Sequence, residues 1–335
     1  MIRVAINGFG RIGRIAFRQM ITDKEFNIVA INSIGTAEDM AYLVKYDTAQ
    51  GAFHEDEISY TEDSIVIKDT KKIKVLNELD PTKLPWNEMG IDLVLECTGV
   101  FTSKEDLNKH IQAGAKKVIL SAPGKDDIKT IVYNVNDNEI TPDDNVLSAA
   151  SCTTNCLAPV LNVIEKQIGI KMGYMTTIHA YTSDQMILDG IHKKGIRARR
   201  GRSAAQNIVP ASTGAAKAIG LVIPSLLGKM DGTSLRVPTQ TGSVIDVTLL
   251  LNRETTVEEI NRLLESSQNE TMKFTLDPIV SSDIIGKKYG AVVDGLSTSV
   301  MSTPENQIVK ILAWYDNEYG YTAQMLRTGK KCFNK

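Results

Sequence analysis

Apolar residues in the first half of the chain fall in short runs separated by longer amphipathic stretches. Arg3–Asn7, Ile28–Asn32, Leu93–Glu96, Val118–Ser121 and Thr130–Tyr133 are rich in Val and Ile and read as short buried strands. Between two of them, residues 103–114 carry a helical signature. Ser103 suits the N-cap, Glu105 and Asp106 fall in the first turn, and Gly114 suits the C-terminal stop. Strand, helix and strand in alternation imply crossovers and a mostly parallel sheet. The second half has longer strand candidates at Gly173–His179, Leu235–Val237, Val244–Leu251 and Ile308–Tyr315. Their partial alternation fits a sheet with helices on one face. Thr256-Val257-Glu258-Glu259 reads as a capping box, followed by Ile260, Leu263 and Leu264 on one helical face.

Composition adds exclusions. The 335 residues are 42% hydrophobic and 23% charged, ordinary for a globular chain of about two domains. The formal charge of −2 gives no global polycation for nucleic acid or an anionic membrane. Four cysteines are too few for a disulfide scaffold and fit a reducing, cytoplasmic setting. The first residues enter an apolar run directly, so no signal peptide is expected. The longest uncharged stretch, Asn145 to Ile164, is broken by Ser, Thr, Asn and Pro, and no membrane span is expected. The histidines His54, His110 and His192 have no partner at metal-ligand spacing, so no metal site is read.

Directly after the first strand stands Asn7-Gly8-Phe9-Gly10-Arg11-Ile12-Gly13-Arg14. Gly8, Gly10 and Gly13 match the dinucleotide fingerprint: a tight turn, close approach to a pyrophosphate, and close helix packing. The following helix N-terminus would offer free N–H groups to phosphate. The acid expected about 20 residues on, at the ribose, is replaced by Ser33. A serine can bond a hydroxyl but repels no 2′-phosphate, so the motif leaves NAD and NADP both open.

The second half opens on Ser151-Cys152-Thr153-Thr154-Asn155-Cys156. A thiol at a helix N-terminus gains thiolate stabilisation from the dipole, which makes Cys152 a candidate nucleophile. His179, at the end of a predicted strand, is its candidate base. Pro159 leaves open a kink or a later helix start.

These segments, together with Thr213-Gly214-Ala215-Ala216-Lys217-Ala218, Leu235-Arg236-Val237-Pro238 and Trp314-Tyr315-Asp316-Asn317-Glu318, resemble glyceraldehyde-3-phosphate dehydrogenase in order along the chain. The resemblance implies an α/β Rossmann dinucleotide-binding domain over 1–150, completed by a C-terminal helix over 317–335. It also implies an α+β catalytic domain over 151–316 with a mixed or antiparallel sheet. The implied reaction is NAD(P)-dependent oxidation of glyceraldehyde 3-phosphate to 1,3-bisphosphoglycerate with inorganic phosphate, through a hemithioacetal and a thioester on Cys152.

By the same resemblance, Thr182, Asp184 and Arg236 serve the substrate phosphate. Ser151, Thr153, Thr213, Gly214 and Arg200 serve the attacking phosphate, with Arg199 and Arg202 as alternatives to Arg200. Arg11 and Ile12 hold the pyrophosphate; Thr98, Gly99 and Ser121 flank the ribose and nicotinamide side. Asn317 bonds the carboxamide, and Tyr321 packs near the ring. The implied assembly is a homotetramer. Leu79 replaces a basic residue common near the adenine, and Gly190-Ile191 a common Leu-Pro, so the departures cluster with Ser33 on the adenosine side. An enzymatic alternative is erythrose-4-phosphate dehydrogenase. From another class, the basic stretch His192 to Arg202 suggests a nucleotide-dependent RNA- or surface-binding protein, although nucleic acid is not expected as the primary partner.

Overall fold

The computed structural model describes residues 1–333; the last two residues of the expected C-terminal segment, Asn334 and Lys335, lie outside the described residues. Contacts divide the chain into two compact units. One comprises Met1–Ser151 with the stretch from Thr322 onward, the other Cys152–Tyr321.

In the first unit the strands are β1 (Ile2–Asn7), β2 (Phe26–Asn32), β3 (Ile58–Thr61), β4 (Ser64–Ile67), β5 (Lys71–Leu76), β6 (Leu93–Glu96), β7 (Lys117–Leu120) and β8 (Val146–Ser148). Helices α1 (Arg11–Met20), α2 (Ala37–Lys45) and α3 (Lys104–Gln112) connect them. The sheet runs β3-β4-β5-β2-β1-β6-β7-β8. It is parallel from β5 to β8 and antiparallel where β3 and β4 extend it. Chain order reverses between β1 and β6, and the carboxyl ends flanking such a switch point form a natural nucleotide crevice. The sheet's buried residues include Val4, Ile6, Ile28, Ile31, Leu93, Leu95 and Ile119, packed with Phe17 and Met20 of α1. Ser103 caps α3 by accepting from the Asp106 N–H, and Gly114 follows its end at φ 105°. Thr130–Tyr133 does not form the expected strand. It contributes one bridge, Thr130 to Ser148, because β8 takes the sheet edge instead.

The second unit contains α4 (Cys152–Gln167), β9 (Ile170–Ala180), β10 (Val209–Ser212), α5 (Ile219–Val222), β11 (Met230–Val237), β12 (Ser243–Leu251), α6 (Val257–Ser266), β13 (Met272–Thr275), β14 (Ala291–Ser302) and β15 (Gln307–Tyr315). Its sheet order is β10-β11-β9-β12-β15-β14-β13. The pairs β9–β11 and β13–β14 are parallel and the rest antiparallel, so the sheet is mixed. Helix α4 begins at Cys152 and continues through Pro159, burying Leu157, Val160, Leu161 and Ile164. Only half of the predicted capping box forms at α6: Thr256 accepts from the Glu259 N–H, whereas the Glu259 carboxylate binds Arg253 and Thr255. The last helix, α7 (Tyr319–Lys331), spans the cut; its Met325 and Leu326 join the first unit's core. No helix of the described residues is long and apolar enough to cross a membrane.

Candidate active site

The glycine turn leaves β1 at Asn7 and enters α1 at Arg11. Gly8 has φ 93°, and a Cβ there would lie 2.5 Å from the Thr98 nitrogen. A Cβ on Gly13 would lie 2.2 Å from the Gly8 carbonyl oxygen, whereas the space beside Gly10 is open. The first and third glycines therefore permit backbone contact, and the second faces free space as phosphate approach requires. A cavity of about 390 Å³ borders this turn and the ends of β2, β5 and β6; Gly8, Gly10, Ser33 and Thr98 line it. These residues fit a dinucleotide. Ser33 Oγ accepts from the Phe9 N–H at 3.1 Å. Arg11 is engaged with Asp47 by an ion pair, and the Ser121 N–H donates to the Glu96 carbonyl at 2.9 Å.

Beneath the turn lies a polar network that the sequence patterns do not reveal. Glu96, His110 and Trp86 are fully buried. Trp86 donates its indole N–H to His110 Nδ1 at 3.1 Å, which leaves Nε2 to donate to Glu96 Oε2 at 3.2 Å. The other Glu96 oxygen accepts the Thr98 N–H at 2.7 Å. Asn7 donates to Glu96 and accepts from Asn32 at 2.7 Å. A carboxylate with this many donors is satisfied in a site that would otherwise penalise its charge heavily. The network pins both loops that border the cavity.

In the second unit Cys152 opens α4 and His179 lies near the end of β9. Their Sγ and Nε2 atoms are 3.4 Å apart. His179 donates Nδ1–H to the Ala180 carbonyl at 2.7 Å, so Nε2 is the bare nitrogen and faces the thiol. Burial pushes the Cys152 thiol up, opposed by Arg236 and by donors from Thr153 and the Cys152 backbone. The helix terminus thus offsets burial rather than producing a free thiolate by itself. Burial, aided by Arg236, holds the His179 pKa down to about 3, so its imidazole is neutral at pH 7. The pair is a neutral thiol facing a neutral base.

Tyr315, which no spacing rule singles out, supports this pair from below. Its hydroxyl lies 2.9 Å from Thr153 Oγ1 and 2.8 Å from Thr177 Oγ1, and its ring meets His179 edge-on at 5.9 Å. Alternation along β15 faces Tyr315 with Ala313 and Ile311, which is the only local sign of its burial.

A cationic group stands beside the thiol. Arg236 pairs in register with His179 across β11 and β9. It is buried, donates to Ala180 O at 3.1 Å and Thr182 Oγ1 at 2.9 Å, and its Nε has no hydrogen-bond partner. A buried guanidinium with a spare donor is suited to an anion. Asp184 accepts from Thr182 and from Arg200, both in short contacts. Its backbone oxygen accepts from His192 Nε2 at 3.1 Å. Among the basic-loop arginines, Arg200 joins this cluster, while Arg202 binds Asp189 at 2.7 Å. The loop's charge is therefore partly neutralised within the loop.

Five candidate residues remain. Thr213 and Gly214 follow β10; Thr213 Oγ1 accepts from the Ala215 N–H, and the space beside Gly214 is open. Asn317 turns its amide oxygen to Gly242 N and Ser243 Oγ at 3.2 and 3.0 Å, leaving its Nδ2 group as a donor. Tyr321 is buried. Ser151 is the last residue before the thiol, and Ala150 before it adopts φ 57°, a conformation costly for a residue with a Cβ.

A dinucleotide turn at a switch point, and separately a thiol–imidazole pair beside a buried guanidinium, define the class: a nucleotide-dependent oxidoreductase. Comparison with known proteins narrows it. Residues 2–104 match the family description "Glyceraldehyde 3-phosphate dehydrogenase, NAD binding domain", and residues 151–317 match "Glyceraldehyde 3-phosphate dehydrogenase, C-terminal domain". The glyceraldehyde-3-phosphate dehydrogenase of Clostridium pasteurianum is 51% identical over 98% of this chain and 97% of its own. Those of Clostridium acetobutylicum and Streptococcus pyogenes are 50% and 48% identical over the same shares. The chain belongs to the glyceraldehyde-3-phosphate dehydrogenase family. These relatives lend no support to the erythrose-4-phosphate or RNA-binding alternatives.

Proposed function

We propose that this protein carries out the phosphorylating oxidation of glyceraldehyde 3-phosphate to 1,3-bisphosphoglycerate as a glycolytic enzyme. The observation that carries the mechanism is the 3.4 Å contact between Cys152 Sγ and a His179 Nε2 left bare by the Ala180 bond. Sγ attacks the aldehyde carbon while its proton passes to Nε2, giving a hemithioacetal on Cys152. The Cys152 N–H and the protonated imidazole stabilise the developing oxyanion. The imidazolium returns its proton to that oxygen, and the neutral His179 then takes up the hemithioacetal hydroxyl proton as the carbon is oxidised to a thioester. Bound NAD or NADP supplies the hydride acceptor. An oxygen of inorganic phosphate then attacks the thioester carbon, the S–C bond breaks, and Cys152 regains its proton from His179.

The substrate phosphate is assigned to Arg236 and Thr182, with Asp184 orienting Thr182 and Arg200. The attacking phosphate is assigned to Ser151, Thr153, Thr213, Gly214 and Arg200; the contact of Arg200 with Asp184 favours it over Arg199 and Arg202. For the cofactor, Gly10, Arg11 and Ile12 take the pyrophosphate on the turn that Gly8 and Gly13 shape; Ser33, Thr98, Gly99 and Ser121 take the ribose side, and Asn317 and Tyr321 the nicotinamide side. Because Ser33 repels nothing, NADP is expected to show measurable turnover beside NAD. A homotetramer in the cytoplasm is the proposed setting. Replacing phosphate with arsenate should preserve cofactor reduction. Unchanged steady-state turnover with neither anion would overturn the phosphorylating assignment.

A further inference from the structure

The acid missing at the end of β2 has a counterpart one strand away. Leu76 ends β5, and its carbonyl accepts the Ser33 N–H at 3.0 Å. The Asn32 side chain then clamps the backbone of Glu78, donating to its carbonyl and accepting its N–H, each at 2.9 Å. Glu78 is thereby held beside Ser33 by the same residue that anchors Asn7 and the glycine turn. We infer that Glu78 sets the cofactor preference by opposing a 2′-phosphate at the adenosine end of the cavity. This rests on the proposed use of a nicotinamide dinucleotide in that cavity.

The chemistry of the lining supports the inference. Among the described residues that line the cavity, Glu78 is the single charged one, and none is Lys or Arg. Its carboxylate is half-buried and accepts the Asp80 N–H at 2.8 Å, which fixes its position but leaves its charge uncompensated by that neutral donor. Leu79 and Ile34, also lining residues, are 74% and 80% exposed and present apolar surface, on which an adenine ring gains contact without any charge requirement. A ribose 2′-hydroxyl enters such a site as a neutral donor and acceptor. A 2′-phosphate brings negative charge opposite a carboxylate, without the arginine that ordinarily accommodates it. Ser33 cannot supply that cation, because its hydroxyl is neutral and already accepts from Phe9. The discriminating charge has therefore moved from the β2 end to the segment after β5.

Glu78→Gln keeps the amide-accepting oxygen and the volume while removing the charge. Isothermal titration with adenosine 2′,5′-bisphosphate and with 5′-AMP reads the adenosine end alone; titration with NADP and NAD reads the whole cofactor. In the variant, the ratio of dissociation constants for the 2′-phosphorylated over the unphosphorylated ligand should fall about tenfold in both pairs, and Glu78→Lys should lower it further. The wild-type ratio should also shrink with rising salt, and the Gln variant's ratio should change much less. A ratio unaltered in both variants and insensitive to salt would overturn the assignment to Glu78 while leaving dinucleotide binding intact. If neither NAD nor NADP binds the wild type, the cofactor reading itself falls and this inference with it. Negligible NADP binding by the wild type, recovered in Glu78→Lys, would support Glu78 and overturn the expectation of measurable NADP turnover.

Discussion

Tyr315→Phe removes one oxygen from beneath the thiol–imidazole pair and keeps the ring. Tyr315 is 1% exposed, and its hydroxyl joins Thr153 and Thr177 at 2.9 and 2.8 Å. Burial raises its pKa, so the phenol remains protonated and can donate to one threonine while accepting from the other. Thr177 retains an alternative acceptor, the Val244 carbonyl at 3.4 Å. Each net hydrogen bond contributes about 1 kcal/mol, and a stranded buried hydroxyl costs ~1–3 kcal/mol, so the loss should be about 1–3 kcal/mol in all. For a unit of this size that corresponds to a fall in Tm of roughly 2–12 °C. Urea unfolding and calorimetry of Tyr315→Phe, Thr153→Val and the double variant would measure it as a cycle. The coupling energy should exceed about 0.5 kcal/mol. Additive losses, or a Phe variant as stable as the parent, would refute the bridging role of the hydroxyl.

Two further outcomes follow from the same unit. Arg236→Leu should lower kcat/KM for the phosphorylated aldehyde by roughly a hundredfold or more, since hydrogen bonds to a charged group contribute ~1.5–3 kcal/mol each. Unphosphorylated glyceraldehyde should lose far less, and equal losses with both substrates would contradict the phosphate assignment. His179, held at about 3 by burial and the nearby Arg236, refuses in the folded state a proton that the unfolded chain accepts below 6.5. Its contribution to stability is therefore full above pH 6.5 and is lost as pH falls toward 3. His179→Asn should consequently flatten the acid loss measured by urea unfolding between pH 6 and 4 by at most about 1.4 kcal/mol per pH unit. A slope unchanged by the substitution would show that the ring titrates normally.

What the sequence discloses and what it hides divide along physical lines. The glycine turn was readable because Gly8 and Gly13 answer constraints of the adjacent backbone, and α3 because Ser103 caps it locally. Cys152 and His179 were nameable, yet their contact depends on α4 and β9 meeting in the folded unit. Strands β3 and β4 are only four residues each, and β5, half lysine, has no buried-strand composition although it lies between β4 and β2. Thr130–Tyr133 has strand composition, but its place beside Ser148 yields a single bridge. Glu96 and His110, fourteen positions apart in the chain, converge only through the β6–α3 crossover. Glu78 reaches the cavity because β5 lies next to β2, a pairing no short motif encodes. Local geometry is written in local residues; convergence of charge is not.

In the proposed reaction Cys152 forms the covalent bond to substrate, with His179 as its base. A single-turnover experiment with excess enzyme, glyceraldehyde 3-phosphate and NAD, without phosphate, tests it most directly. The wild type should give a stoichiometric burst of reduced cofactor and a thioester-bearing protein detectable by mass spectrometry. Cys152→Ala should give neither. A burst that survives in Cys152→Ala would place the nucleophile elsewhere.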